Sequence, residues 1–149
     1  TQPSNQETTM YKTTALMLSL LLTSMPVLAD CLAQLDRKTV AEQLSRSIDY
    51  LGPLPSDLNC VKPASESMAL VCGNADLLSL HHLSRYAQLV AYENTTKQQV
   101  IGNDAFVLQV LQQVGNPAQA CTTVECACKN YVQSFQDAAG YDFKLLHAL

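Results

Sequence analysis

The sequence contains no tryptophan, and six tyrosines with three phenylalanines are its only aromatic residues. That scarcity argues against a large aromatic ligand cleft. Charge is thin as well: 15% of residues are charged, 13 acidic against 9 basic, for a formal net charge of −4. A nucleic-acid binder needs a basic face that this balance does not supply. No apolar run reaches the roughly 20 residues needed to span a bilayer. Catalytic signatures are missing too. No serine sits in a Gly-x-Ser-x-Gly elbow or a Ser-x-x-Lys motif, and neither a glycine-rich phosphate loop nor a metalloprotease helix motif occurs. No stretch sustains the period-two alternation of a half-buried strand, and there are no internal repeats. These absences leave a small all-α protein, expected to be neither an enzyme nor the holder of a cofactor or metal. A chain of 149 residues is enough for one core and short for two.

Residues 10–29 read MYKTTALMLSLLLTSMPVLA. Lys12 forms a short positive segment, Ala15 to Leu22 an apolar one, and Val27-Leu28-Ala29 a small-residue cleavage site. Pro26 breaks the helix just before that site and leaves an extended strip for a peptidase. A signal peptide over 10–29 is therefore expected, with residues 1–9 upstream of the start and 30–149 as a single helical domain. The expected location is the periplasm or the exterior, with no stable membrane insertion after cleavage. Cys31 could carry a lipoprotein anchor, but Asp30 stands where such signals place a small residue.

All six cysteines (Cys31, Cys60, Cys72, Cys121, Cys126 and Cys128) follow the leader. An even number in an oxidising compartment favours three disulfides, though composition cannot choose their pairing. Eleven residues separate Cys60 from Cys72, so a bond there would tie a loop to the far end of a short helix. Cys121 and Cys126 flank a second helix start. With Thr122 as N-cap and Glu125 completing a capping box, the two cysteines occupy the positions of a hydrophobic staple. Cys128 falls on the apolar stripe, which leaves Cys31 as its partner by exclusion. Loop entropy gives about 2–3 kcal/mol for each short bridge and somewhat above ~4 for the long one. A zinc site from Cys121, Cys126, Cys128 and His147 is the competing reading, opposed by the scarcity of thiolates outside the cell.

Helical periodicity and capping place the elements. A capping box at Thr39–Glu42 starts a helix carrying Val40, Leu44, Ile48 and Leu51, which Gly52-Pro53 ends. Ser65 caps a short helix to about Cys72, with Met68 and Val71 facing inward. The longest helix begins after Asn74 or Asp76 and reaches about Glu93. Its stripe is Leu77, Leu80, Ser84, Ala87 and Ala91, widened by Leu83 and Val90, with Arg85, Gln88 and Glu93 facing water. Asn94 to Gly102, including the sequon Asn94-Thr95-Thr96, reads as a polar linker. Asp104 caps a helix with Val107, Val110, Leu111 and Val114, closed by Gly115. A last helix runs from about Thr123 to Ala139 with Val124, Cys128, Val132 and Phe135 inward. Four to five helices stapled by disulfides are expected.

Cys60 to Cys72 with Ser65 between them, followed by Leu77 and Leu80, resembles the lysozyme-inhibitor LprI-type N-terminal domain family, a group of exported helical proteins. Cys121-Thr-Thr-Val-Glu-Cys126 with Tyr131 is similar to that family's second cysteine pair and its following aromatic. The resemblance spans roughly residues 57–135. The chain departs from the pattern at His81, where the family has aspartate, and at Met68, where it has glutamate. The tyrosine of the long helix is displaced, with Tyr86 and Tyr92 nearest, and Cys31 and Cys128 are additions.

His81 and His82 are adjacent, so on a helix they point about 100° apart and do not readily chelate one metal; at least one should be a surface histidine. The carboxylates show no spacing that pairs them for acid–base work. The expected function is an exported, disulfide-stapled helical binding protein with a protein partner. The resemblance implies a periplasmic inhibitor of lysozyme-type muramidases; the alternative is an envelope interaction or effector-neutralising protein with no such target. An acidic surface suits a cationic partner. The loops Pro53–Asn59 and Asn94–Asn103 are the expected contact surfaces.

Overall fold

The computed structural model describes residues 30–140 and 144–147; the expected signal peptide lies outside the described residues. Among them the protein is all-α, with six helices: α1 (Cys31–Gln34), α2 (Arg37–Leu51), α3 (Glu66–Cys72), α4 (Ala75–Thr96), α5 (Asp104–Val114) and α6 (Val124–Ala139). The helix beyond the expected number is α1, a single turn. The only extended pairing among the described residues is an isolated antiparallel bridge between Leu35 and Leu146.

Each helix begins at a side chain that accepts from a backbone N–H two or three residues on, which satisfies a donor the helix leaves free. Ser65 caps α3 as expected, and Asn74 caps α4. Three other caps differ from expectation. Asp36, not Thr39, caps α2; Thr39 sits three residues inside and donates both its N–H and its hydroxyl to Asp36. Asn103, not Asp104, caps α5. Thr123, not Thr122, caps α6, so Glu125 lies one place too early to close a capping box. Its carboxylate instead accepts from the backbone N–H of Cys31 at 2.8 Å and pairs with Lys129 at 2.9 Å. Helix α4 also outruns its expected end by three residues, so Asn94-Thr95-Thr96 is its last turn rather than a linker. Lys97 then takes the left-handed conformation (φ 60°) that stops it.

Helix α4 is the central element. Its N-terminal half packs with α1, α2, α3 and α6 around Leu77, Leu80, Leu83, Cys128, Tyr131 and Phe135. Its C-terminal half meets α5 in a second cluster of Leu89, Val100, Val107, Val110 and Leu111. A helix that serves two clusters must bury side chains around much of its circumference, which is why its apolar stripe is broad. The expected polar face is accordingly wrong in two places. Arg85 is buried, and Glu93 accepts from the N–H groups of Val100 and Ile101 at 2.6 and 2.7 Å, pinning the linker that leads into α5 to α4.

The three disulfides join Cys31 to Cys128, Cys60 to Cys72 and Cys121 to Cys126, with Cα separations of 6.0, 5.3 and 5.5 Å. The first crosses the core: both cysteines are buried, and the bond locks α1 onto α6. At the other end of the chain, Leu145 is buried, the N–H of Asp36 donates to its carbonyl at 2.8 Å, and His147 N–H donates to Gln34 at 2.8 Å.

Candidate functional site

The loop of residues 52–65 between α2 and α3 is irregular throughout, yet it is fastened at three places. At its start Gly52 adopts a positive φ (77°), which a side chain would strain, and its carbonyl accepts from the Tyr86 hydroxyl at 2.7 Å. In its middle Asp57 turns inward. Three residues further on, Cys60 is bonded to Cys72 of α3. Between these points Asn59 Oδ1 accepts from the N–H groups of Val61 and Lys62, both at 3.0 Å, forming the tight turn that follows the loop's cysteine.

Asp57 is the centre of a polar network under the loop. One carboxylate oxygen accepts from His81 Nε2 at 3.1 Å and the other from the Arg85 guanidinium. His81 and Arg85 lie four residues apart on α4 and so share one face. Their exposures are 1% and 4%, against 17% for the Asp57 side chain. Arg85 also donates to the Gly115 carbonyl and to Gln88 Oε1, while its Nε has no acceptor among the described residues. On the far side of the imidazole, Nδ1 stands 3.2 Å from the Tyr131 hydroxyl, which donates to Asn116 Oδ1 at 2.9 Å. Asn116 Oδ1 accepts in turn from Ala118 N–H, which fixes the orientation of that amide. The network therefore joins the loop, α4, α6 and the turn after α5.

Its electrostatics follow from this arrangement. Burial pushes the Asp57 carboxyl up, but the bond from His81 and the adjacent Arg85 charge outweigh it and hold the group down at about 2. Burial pushes the Tyr131 phenol up to about 12, and the bond to Asn116 offsets only part of that. A carboxylate behind an imidazole is the orienting half of a nucleophilic triad. Here the third member is a phenol that stays protonated at neutral pH and is fully buried. The hydroxyl of Ser84 is no substitute, because it donates to the carbonyl of His81 itself at 2.9 Å. The imidazole is 1% exposed and held from both ring nitrogens, so the network fastens the loop to α4 and α6. A cavity of about 210 Å³ beside Pro53 and Tyr86 and another of about 610 Å³ beside Ser65 and Met68 flank Asp57 and Arg85 on their outer sides.

All six cysteines of the sequence reading lie in disulfides, so Cys121, Cys126 and Cys128 have no thiolate to give zinc. Among the described residues no group of three or more histidine, cysteine or acidic side chains is placed to hold a metal. None of the helices in that range is long and apolar enough to cross a membrane. Of the two histidines, His82 is at the surface and His81 is not. Of the two expected contact loops, Pro53–Asn59 is irregular and largely exposed, whereas Asn94–Asn103 begins with the last three residues of α4 and continues as a linker held by Glu93. Asp57, Arg85 and Asn116 were not singled out by the sequence. The spacing of His81 and Arg85 with Leu77 and Ser84 was the available signal, since it places both on the buried side of α4. No protein-family model, no curated protein and no solved structure matches the chain.

Proposed function

We propose that this chain is an exported, disulfide-stapled helical binding protein that engages another protein through its α2–α3 loop. A lysozyme-type muramidase is the partner class named by the resemblance of the cysteine and leucine spacings. One observation supports this reading above the others. The loop is fastened at Gly52, Asp57 and Cys60, yet it holds Val61 out to solvent at 98% exposure, with Tyr50 just before it at 91%. Apolar side chains presented on restrained backbone lose little freedom when a partner covers them, so more of the contact energy appears as affinity. Tyrosine is also among the residues that dominate interface energetics. The net charge of −4 suits a cationic partner. In this reading the protein inhibits by seating the loop in the partner's cleft.

The test is a lysozyme turbidity assay with the oxidised protein, residues 30–149. Slowed lysis that saturates with added protein and is relieved by Val61→Asp is the expected result. Undiminished lysis at excess protein would remove the muramidase as partner. Capture from envelope extracts on immobilised protein then decides the class: recovery of a non-hydrolase in a Val61-dependent manner favours an envelope interaction or effector-neutralising role.

A further inference from the structure

A second concave surface shares no residue with the α2–α3 loop. It is a groove of about 850 Å³ between the C-terminal half of α4, the turn after α5 and α6. Its walls set side-chain amides and hydroxyls, among them Gln88, Asn130, Gln133 and Ser134, beside apolar surface from Val114 and Pro117, and Asp137 is the one charged side chain lining it. We propose that this groove binds a neutral oligosaccharide, with the Ser134 hydroxyl as an oriented donor and Tyr92 as the surface on which a sugar ring stacks.

The orientation comes from the buried network. Arg85 donates to Gln88 Oε1 at 2.9 Å, which settles which end of that amide faces α6. Gln88 Nε2 then donates to Ser134 Oγ at 3.2 Å. With that oxygen already accepting, the serine's own hydrogen has no acceptor among the described residues and is free for a group in the groove. Asn130 donates its amide hydrogens to the Pro117 carbonyl and the Cys121 sulfur, which turns its Oδ1 away from both as an acceptor. Gln133 donates to one oxygen of Asp137 at 2.7 Å and leaves the other unused. The Tyr92 hydroxyl has no partner among the described residues, and its ring is half-buried against the α4–α5 cluster.

A sugar hydroxyl both donates and accepts, so a lining of fixed donors and acceptors with little net charge matches it. The C–H faces of a sugar ring suit the apolar surface between these groups, whereas a peptide's charged ends and side chains would want opposite charges, and Asp137 alone supplies one. The disulfide Cys121–Cys126 and the packing of α4 on α6 hold the walls in place, which spares the ligand the cost of ordering them.

The test is a titration of the oxidised, isotope-labelled protein with chitotriose and with maltotriose, followed by amide chemical shifts. Shifts confined to residues 88–96, 114–119 and 130–138 for either saccharide, with a Kd on the order of 1 mM or tighter, are expected. Ser134→Ala, which keeps the helix, should weaken that binding about tenfold, the loss of one good hydrogen bond. Tyr92→Phe keeps the ring and should cost less. Val61→Asp should leave the titration unchanged. Absence of shifts with both saccharides at about 10 mM, shifts centred elsewhere, or a Ser134→Ala variant that binds undiminished would each overturn the proposal.

Discussion

Asp57 is the residue on which the largest single effects should converge. Asp57→Asn keeps the shape but removes the charge that Arg85 and His81 face in a mostly buried setting. An uncompensated guanidinium in such a place costs about 3 kcal/mol, readable as a lowered midpoint in urea. The same residue sets a pH dependence. Its carboxyl is held at about 2 in the fold against an ordinary value of 3.8. A depressed carboxyl contributes stability that is full above the unfolded value and is lost as pH falls toward the folded one. Stability should therefore drop between about pH 4 and 2 by on the order of 1–2 kcal/mol, discounted because the carboxylate still meets water. Denaturant titrations at several pH values should find that this component vanishes in Asp57→Asn. Tyr131→Phe removes one buried hydrogen bond and should cost about 1 kcal/mol. Little of this was legible in the sequence. An aspartate in a proline-rich loop looks like a solvated turn residue, and its inward direction depends on α4 presenting His81 and Arg85 beneath it. The histidine at position 81 bonds to Asp57 from the helix side.

At the level of elements, the existence of α2 to α6 and most of their apolar faces followed from periodicity, α1 was missed, and the other errors cluster at helix ends and on α4. Thr122 and Thr123 are both competent caps, as are Asn103 and Asp104, and the sequence carries no sign of which residue takes the extended backbone angle of an N-cap. The structure assigns Thr123 and Asn103. Thr123→Ala and Asn103→Ala should each cost about 1 kcal/mol, while Thr122→Ala and Asp104→Ala should stay within about 0.5. Thermal melts of the four variants check this, and a reversed order within either pair would refute the assignment. The misread face of α4 has a different cause. A helix packed by neighbours on opposite sides loses the contrast between an inner and an outer stripe, so Arg85 looked solvated when its partners come from distant loops, and Glu93 when its partners lie in the linker that follows the helix.

Across the whole molecule, the three disulfides divide the work. Cys60 is exposed, whereas Cys31 and Cys128 are both buried, so mild reductant should open Cys60–Cys72 well before Cys31–Cys128. Alkylation and mass mapping over time would show that order. Replacing Cys31 and Cys128 together by alanine should cost roughly 4–5 kcal/mol, because that bond closes the longest loop, at a sequence separation of 97. Spacing and exclusion in the sequence led to the same pairs. The loop that carries the proposed function was legible only as an irregular segment, and its fastening needed three-dimensional partners to be seen. The rigidity of that loop is the central claim, and backbone 15N relaxation measures it directly. In the oxidised protein the amides of residues 57–64 are expected to show order parameters near the helical value of about 0.85, falling when Cys60–Cys72 is reduced. Order parameters below about 0.6 across the loop in the oxidised protein would contradict it.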